Sequence, residues 1–256
     1  MASSNISRRR LLRLTMGTTL GCCLLESWVL EPYWLKIKRL NIGGSQASHR
    51  IVYITDIHYK GDRAYLKKIV ETVNALSANF VCFGGDLVEK ATYVAEALEV
   101  MSHIRSPVYG VPGNHDYSSK ASFKTIADYC GATGGAWLLD QDVITKDGHI
   151  QIVGATGTQS QLPALRQELK RILLVHYPLF VERVIGSFAL VLAGHSHGGQ
   201  VRLPLWGALV LPTDVGPYDL GCFQTKAGPL YVNPGIGTFY LPMRFWCRPE
   251  ITIIEL

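Results

Sequence analysis

No C-x-x-C pair occurs among the six cysteines (Cys22, Cys23, Cys82, Cys130, Cys222 and Cys247). A zinc ribbon or a thioredoxin-like redox site therefore lacks its ligands. The 256 residues hold no internal repeat and no low-complexity tract, which excludes a solenoid and a disordered scaffold. Gly235-Ile236-Gly237 is too short for a dinucleotide-binding loop. Most of the chain also lacks an excess charge of either sign. Seven of the 25 Lys/Arg but only two of the 20 Asp/Glu fall in residues 1–49, so the net charge of +5 belongs there and the remainder carries 18 of each sign. A nucleic-acid partner, which needs a basic face against its phosphates, has no support in that neutral body. The composition, 48% hydrophobic and 18% charged, is that of a folded protein with a sizeable core.

The first 49 residues read as an address. Ser7-Arg8-Arg9-Arg10-Leu11-Leu12-Arg13 precedes an apolar, small-residue stretch from Leu14 to Leu30, the order of a secretory signal. The paired arginines resemble a twin-arginine export signal. Arg13 and Glu26 interrupt the stretch, which is short for a spanning helix. An amphipathic surface helix is the other reading, with Trp28, Tyr33 and Trp34 at headgroup level and Lys36, Lys38 and Arg39 beside lipid phosphates. No clean A-x-A site follows, so a cleaved signal and a retained anchor both stay open. The expected division is an export or anchor segment with linker over 1–49, making the protein exported or membrane-associated, and one domain over 50–256.

From Arg50 onward, short β-rich runs alternate with helical patterns. Strands are expected at Ile51–Ile54, Phe80–Phe83, Val108–Val111, Ile172–Val175 and Phe188–Leu192, and helices over 63–78, 91–104, near 120–130 and over 161–170. A hairpin is expected from 136–145 and 149–155, turning at Lys146-Asp147-Gly148. Beyond Val201 the pattern is β runs and loops rich in Gly and Pro, closing at Ile251–Leu256. Such alternation implies an α/β fold, its sheet parallel in part and covered by helices. The apolar run Val201–Leu211 reads either as a hairpin packed into the core or as a wall for an acyl chain or membrane surface.

In such sheets ligands bind beyond the carboxyl ends of the strands, and the polar residues accumulate there. The predicted strand ends carry Asp56-Ile57-His58, Gly84-Gly85-Asp86, Gly113-Asn114-His115-Asp116, His176 and Gly194-His195-Ser196-His197, with five of the eight histidines. Asp-x-His and His-x-His would set two side chains on one side of an extended segment. The glycines permit sharp turns there. Oxygen and nitrogen donors without a thiolate suit Mn, Fe or Zn in a working site better than a structural zinc. Gly198-Gly199-Gln200 follows the last pair and is read as shaping its turn.

D-x-H, G-D, G-N-H-D, a lone H and G-H-S-H, in this order over residues 56–197, resemble the calcineurin-like metallophosphoesterases. The opening Ile6–Arg10, the block Gly194–Gln200 and the ending Cys247–Thr252 resemble the bacterial branch of exported or membrane-associated phosphodiesterases, the YaeI/YkuE-like proteins. The resemblance implies a four-layer α/β/β/α sandwich with a dinuclear metal site at the carboxyl ends of its strands. It assigns Asp56, His58 and His197 to one divalent ion and Asn114, His176 and His195 to the second, with Asp86 bridging. His115 would protonate the leaving oxygen, and Asp116 would orient it or, on the residues alone, cap a loop. The implied activity is phosphodiester hydrolysis by a hydroxide bridging two ions, manganese foremost and iron or zinc as the others. The substrate would be a lipid-linked or nucleotide-sugar phosphodiester; some members of that branch cleave the pyrophosphate of UDP-diacylglucosamine in lipid A synthesis. A phosphomonoesterase or protein phosphatase could use the same site.

Overall fold

The computed structural model describes residues 7–157 and 161–256. Ile6, which opens the arginine-rich motif, lies outside the described residues. From Arg8 the arginine-rich segment is helical: α1 spans Arg8–Leu25 and continues as a wide turn over Glu26–Leu30 and a 3-10 turn over Glu31–Tyr33. Among the described residues no helix is long and apolar enough to cross a membrane. The segment is tied to the body at Glu31, a buried carboxylate that accepts the N–H groups of Trp246 and Cys247.

Strand β1 (Lys36–Asn41) falls within residues 1–49 and begins the first sheet. Next come β2 (Arg50–Ile54), helix α2 (Arg63–Ala75), β3 (Phe80–Phe83), α3 (Val94–Met101), β4 (Val108–Gly110), α4 (Asn114–Ser118), α5 (Phe123–Thr133) and β5 (Ala136–Trp137). Residues from Asp142 on form β6 (Asp142–Ile144), β7 (Ile150–Ala155), β8 (Lys170–Val175), β9 (Leu190–Ala193), β10 (Arg202–Leu203), β11 (Gly207–Ala208), β12 (Gly221–Thr225), β13 (Gly228–Val232) and β14 (Glu250–Glu255). Two six-stranded sheets result, in the orders β1-β14-β2-β3-β4-β5 and β12-β13-β9-β8-β7-β6.

The side chains of β2 show how the layers assemble. Its alternate residues Ile51 and Tyr53 enter the cluster between the two sheets, with Cys82, Ile152, Ile172 and Leu192. Val52 and Ile54 point the other way, onto α2 and α3, where Leu66, Ile69, Val70, Val73, Leu98 and Met101 meet them. A strand buried on both faces reads as an unbroken apolar run. Helix α2 supplies its side by apolar residues at i, i+3, i+4 and i+7, and Asp62 caps it by accepting the Tyr65 N–H at 3.0 Å. Each such side chain taken from water contributes roughly 1.5–3 kcal/mol. The second sheet's outer face is covered by Phe180, Val181 and Tyr218, from a 3-10 turn and loops.

Three expectations about elements change. Residues 161–169 are not helical: the buried Gln151 side chain takes the Arg166 N–H at 2.8 Å and donates to Ala164 O at 2.9 Å, supplying what a helix would have supplied. The expected hairpin forms about the Lys146–Gly148 turn from β6 and β7, but Ala136–Trp137 leave its first arm and join β4 in the first sheet. Strands β10 and β11 pair with each other and with neither large sheet. Having no sheet face to pack on, their connecting turn stands in solvent, with Leu205 106% and Trp206 86% exposed. The core-packed reading of Val201–Leu211 is thereby overturned.

Candidate metal centre

Parallel strands β2, β3 and β4 of the first sheet and β8 and β9 of the second all end at one rim of the sandwich. The two sheets are joined there by Asp56, whose carboxylate accepts the His195 N–H. Asp56 (φ 50°), His58 (φ 44°), Asp86 (φ 56°), His195 (φ 65°) and His197 (φ 50°) all sit in the left-handed region. This corrects the expected extended geometry. Each D-x-H or H-x-H pair converges through two left-handed residues in a tight turn, not through strand alternation. Such conformations cost of order 1–3 kcal/mol each and persist where the surroundings over-determine them, as at functional sites.

All seven sequence-predicted ligands come together. His58 Nε2 lies 3.0 Å from His197 Nε2 and 3.5 Å from Asp86 Oδ2. His197 Nε2 is 3.5 Å from Asp56 Oδ1. On the other side, His176 Nε2 lies 3.3 Å from Asp86 Oδ2, 3.0 Å from Asn114 Oδ1 and 3.2 Å from His195 Nδ1. Asp86 stands between the two groups, and its Oδ1 accepts the His115 N–H at 2.7 Å.

The outer nitrogens set the proton positions. A carbonyl can only accept, so His176 Nδ1 donates to Gly84 O at 2.8 Å and His195 Nε2 donates to Thr213 O at 2.9 Å. His58 Nδ1 donates to the Glu89 carboxylate. Neutral rings held this way aim bare lone pairs at carboxylate oxygens and at one another, which repels unless positive charge stands between them. Buried His197 Nδ1 has no hydrogen-bond partner among the described residues. The residues therefore fit divalent cations, and Asp56-His58-His197 and Asp56-Asp86-His176 each bring their ligand atoms within 4.8 Å of one another.

Burial and the neighbouring charges move these groups in opposite directions. Burial disfavours the His176 imidazolium, yet Asp86 and Asp56 outweigh it and lift the ring to about 9. Burial, helped by the neighbouring His176, pushes His195 down to about 3. Burial would raise Asp86, but His176 and His58 hold it well below the ordinary carboxylate range.

Asp116 does not touch the His115 ring. Its buried carboxylate accepts the N–H groups of Asp86 (2.8 Å), Leu87 (2.9 Å) and Gly113 (2.9 Å), which is the loop-capping alternative and not the His115-orienting one, and makes it a clamp on two loops. The carboxylate facing His115 is Glu89, with Oε1 3.5 Å from Nδ1. Sequence reasoning passed over Glu89, although an acid three residues after Asp86, beyond the apolar Leu87-Val88, was a signal. It also passed over Phe239, whose ring centroid lies 5.8 Å from that of His58, 4.6 Å from His115 and 6.3 Å from His197. Nothing local marks that phenylalanine: Gln200 accepts its N–H and donates to its carbonyl, a contact across 39 residues. Gln200 thus joins Gly198 and Gly199 in the turn they were expected to shape, with left-handed φ at all three.

Comparison with known proteins agrees with this geometry. The chain is 29% identical over 253 residues to YkuE of Bacillus subtilis (strain 168), a metallophosphoesterase, covering 89% of this chain and 87% of that one. It is 28% identical over 273 residues to the phosphodiesterase YaeI of Escherichia coli (strain K12), covering 98% and 99%. Among solved structures, TT1561 of Thermus thermophilus superposes with a TM-score of 0.51 at 13% identity, over 73% of this chain and 90% of that chain, a likeness of fold. The sequence model of the calcineurin-like phosphoesterases matches residues 49–199, the stretch that carries every ligand candidate, and the chain belongs to that family of metal-dependent phosphoester hydrolases.

Proposed function

We propose that the protein is a phosphodiesterase working with two divalent ions, and that its substrate is a lipid-linked or nucleotide-sugar phosphodiester. Asp56, His58 and His197 would hold one ion and Asn114, His176 and His195 the other, with Asp86 serving both. One observation carries this reading: Asp86 Oδ2 lies 3.5 Å from His58 Nε2 and 3.3 Å from His176 Nε2, a single buried carboxylate between two sets of donors. Bound there, the ions supply a hydroxide near neutral pH and polarise the phosphate oxygens. The mixed nitrogen and oxygen donors suit manganese, iron or zinc, and manganese is the ion proposed first from the family resemblance.

The chain's own residues do the rest. With Nδ1 turned to Glu89, His115 keeps Nε2 for the leaving oxygen and delivers its proton there. Phe239 walls the His58, His115 and His197 side of the site and excludes water from it. Preference for a diester is supported by YaeI, named a phosphodiesterase, and lipid linkage by the exposed Leu205 and Trp206. The residues ahead of β1 act in this reading as the export or membrane-attachment segment, while Lys36–Asn41 belong to the first sheet of the catalytic body.

Metal analysis of the purified protein, with Mn²⁺-dependent turnover of bis(p-nitrophenyl) phosphate against p-nitrophenyl phosphate, tests the proposal. Bound metal and faster diester turnover are expected. Preference for the monoester makes it a phosphomonoesterase, and wild-type turnover by Asp86→Ala removes the two-ion site.

A further inference from the structure

We infer that the hairpin Val201–Leu211, the loop Phe239–Trp246 and the segment Trp28–Trp34 form one face, beside the metal centre, that seats on an anionic lipid bilayer. The three pieces are distant in sequence and bonded to each other directly. Phe245 N donates to Gln200 O at 2.8 Å and Arg202 N to Phe245 O at 2.9 Å, which fixes the hairpin to the loop. Arg244 N donates to Ser27 O at 2.9 Å, and Trp246 N to Glu31 Oε2 at 2.9 Å, which fixes the loop to the N-terminal segment. Arg248 closes the join, its guanidinium 4.1 Å from the Trp34 ring centroid and its Nε donating to Trp34 O.

Each piece exposes what a soluble surface would hide. Leu205, Trp206, Leu209 and Val210 are exposed on the hairpin, Tyr240 (88%), Leu241 and Trp246 on the loop, and Trp28, Val29, Leu30, Tyr33 and Trp34 on the segment. Contiguous apolar patches of this kind mark interaction sites. The chemistry selects lipid over protein. Leu203–Leu211 and Thr238–Met243 contain no charged residue, whereas Lys36, Lys38 and Arg248 line one cavity with Trp34 and Trp246 at the edge of the patch, and the exposed Arg8, Arg9 and Arg13 stand on α1, the helix that leads into it. Trp and Tyr with aliphatic neighbours, rimmed by Lys and Arg, match the interfacial zone of a bilayer with anionic headgroups.

The face also reaches the site. Phe239, stacked on the ligand histidines, lies 3.9 Å from the exposed Tyr240 ring, centroid to centroid. A cavity of about 160 Å³ runs between His58 and the N-terminal segment, lined by Pro32, Tyr33, Tyr65, Thr238 and Pro242. A bilayer seated on this face would present its phosphates to His58 and His115. The inference rests on the proposed membrane attachment and not on hydrolysis.

Full-length protein is mixed with phosphatidylcholine vesicles with and without phosphatidylglycerol, and partitioning is read by flotation. The wild type is expected to bind, more tightly to the anionic vesicles. Leu205→Asp/Trp206→Asp should partition at least about tenfold less, by the apolar area withdrawn, and turn over soluble bis(p-nitrophenyl) phosphate as the wild type does, which shows that it is folded. Because α1 alone could hold the protein on vesicles, the second readout is specific to the hairpin: brominated lipid should quench fluorescence that Trp206→Phe lacks. Failure of the wild type to bind, equal partitioning of the double variant, or no quenching of Trp206 overturns the inference, with a protein partner left for the face. Vesicle binding by a protein inactive on every phosphoester would sink the enzymatic reading and leave this one standing.

Discussion

Glu89 and His115 face one another across the mouth of the site, Oε1 to Nδ1 at 3.5 Å, and the same oxygen accepts the Nδ1 proton of His58. One carboxylate thus holds both the ring proposed to donate a proton and a ring proposed to hold metal. Glu89→Gln preserves the shape and removes the charge. Loss of such an outer partner typically lowers metal affinity or activity about 10–100-fold, and a fall of that size in kcat/KM is expected. His115→Asn should retain its metal and lose about 10²–10⁴ in kcat. Metal content measured beside turnover separates the two, and a Glu89→Gln enzyme of unchanged rate would mean that the contact does not position His115.

The site's composition was legible before its shape was. All seven ligand candidates were identifiable because Asp, Asn and His beside Gly at strand ends have few structural uses in such numbers. The left-handed turns at Asp56, His58, Asp86, His195 and His197 were not legible. Asp and His enter that region more readily than most residues, but which of them does so is decided by tertiary contacts and not by local sequence. Helices α2 and α3 were readable from their period, since each buries a stripe against the first sheet. Residues 161–169 carried helical spacing too, but the buried Gln151 side chain pairs with the Arg166 N–H and the Ala164 carbonyl, two groups that a helix would have paired internally. The edge strand β1 was hidden because its residues alternate with lysine and arginine; its partner β14 lies at the other end of the chain.

Asp116 offers a test of clamp against catalyst. Its carboxylate satisfies three backbone N–H groups, and each one left buried without a partner costs about 1–3 kcal/mol. Asp116→Ala should therefore lower the denaturant midpoint markedly. Activity should fall with it, because the Asp86 loop loses its anchor. Asp116→Asn, which keeps one acceptor oxygen, should recover part of both. A variant with wild-type stability and abolished turnover would return Asp116 to a direct chemical role.

Two glycines predict opposite outcomes. A Cβ at Gly113 would collide with Asp86 Oδ1 and with the Asp86 backbone nitrogen. Gly113→Ala is expected to displace the shared carboxylate and abolish metal binding. At Gly131, inside α5, a Cβ meets nothing within 4 Å. Gly131→Ala should raise stability by about 0.4–1 kcal/mol through the unfolded chain and leave turnover alone. Thermal melts and metal titration read both, and metal binding by Gly113→Ala would show that the loop yields.

The pair His49–Asp147 joins the two sheets' flanks far from the metal centre, Nε2 to Oδ2 at 2.6 Å. Burial would raise the Asp147 carboxyl, but the Thr145 hydroxyl and His49 outweigh it and hold it at about 2, below its ordinary 3.8. A carboxyl lowered in the folded state contributes stability above the unfolded value and loses it as pH falls through the folded one. The contribution should therefore be complete at neutral pH and vanish between about pH 4 and 2. Asp147 is 43% exposed, and solvent screening limits the effect to under about 1 kcal/mol. Denaturant unfolding of Asp147→Asn against wild type should show a small deficit at pH 7 that closes on acidification. A deficit that persists at the acid end would assign the loss to geometry at the Lys146–Gly148 turn instead of to charge.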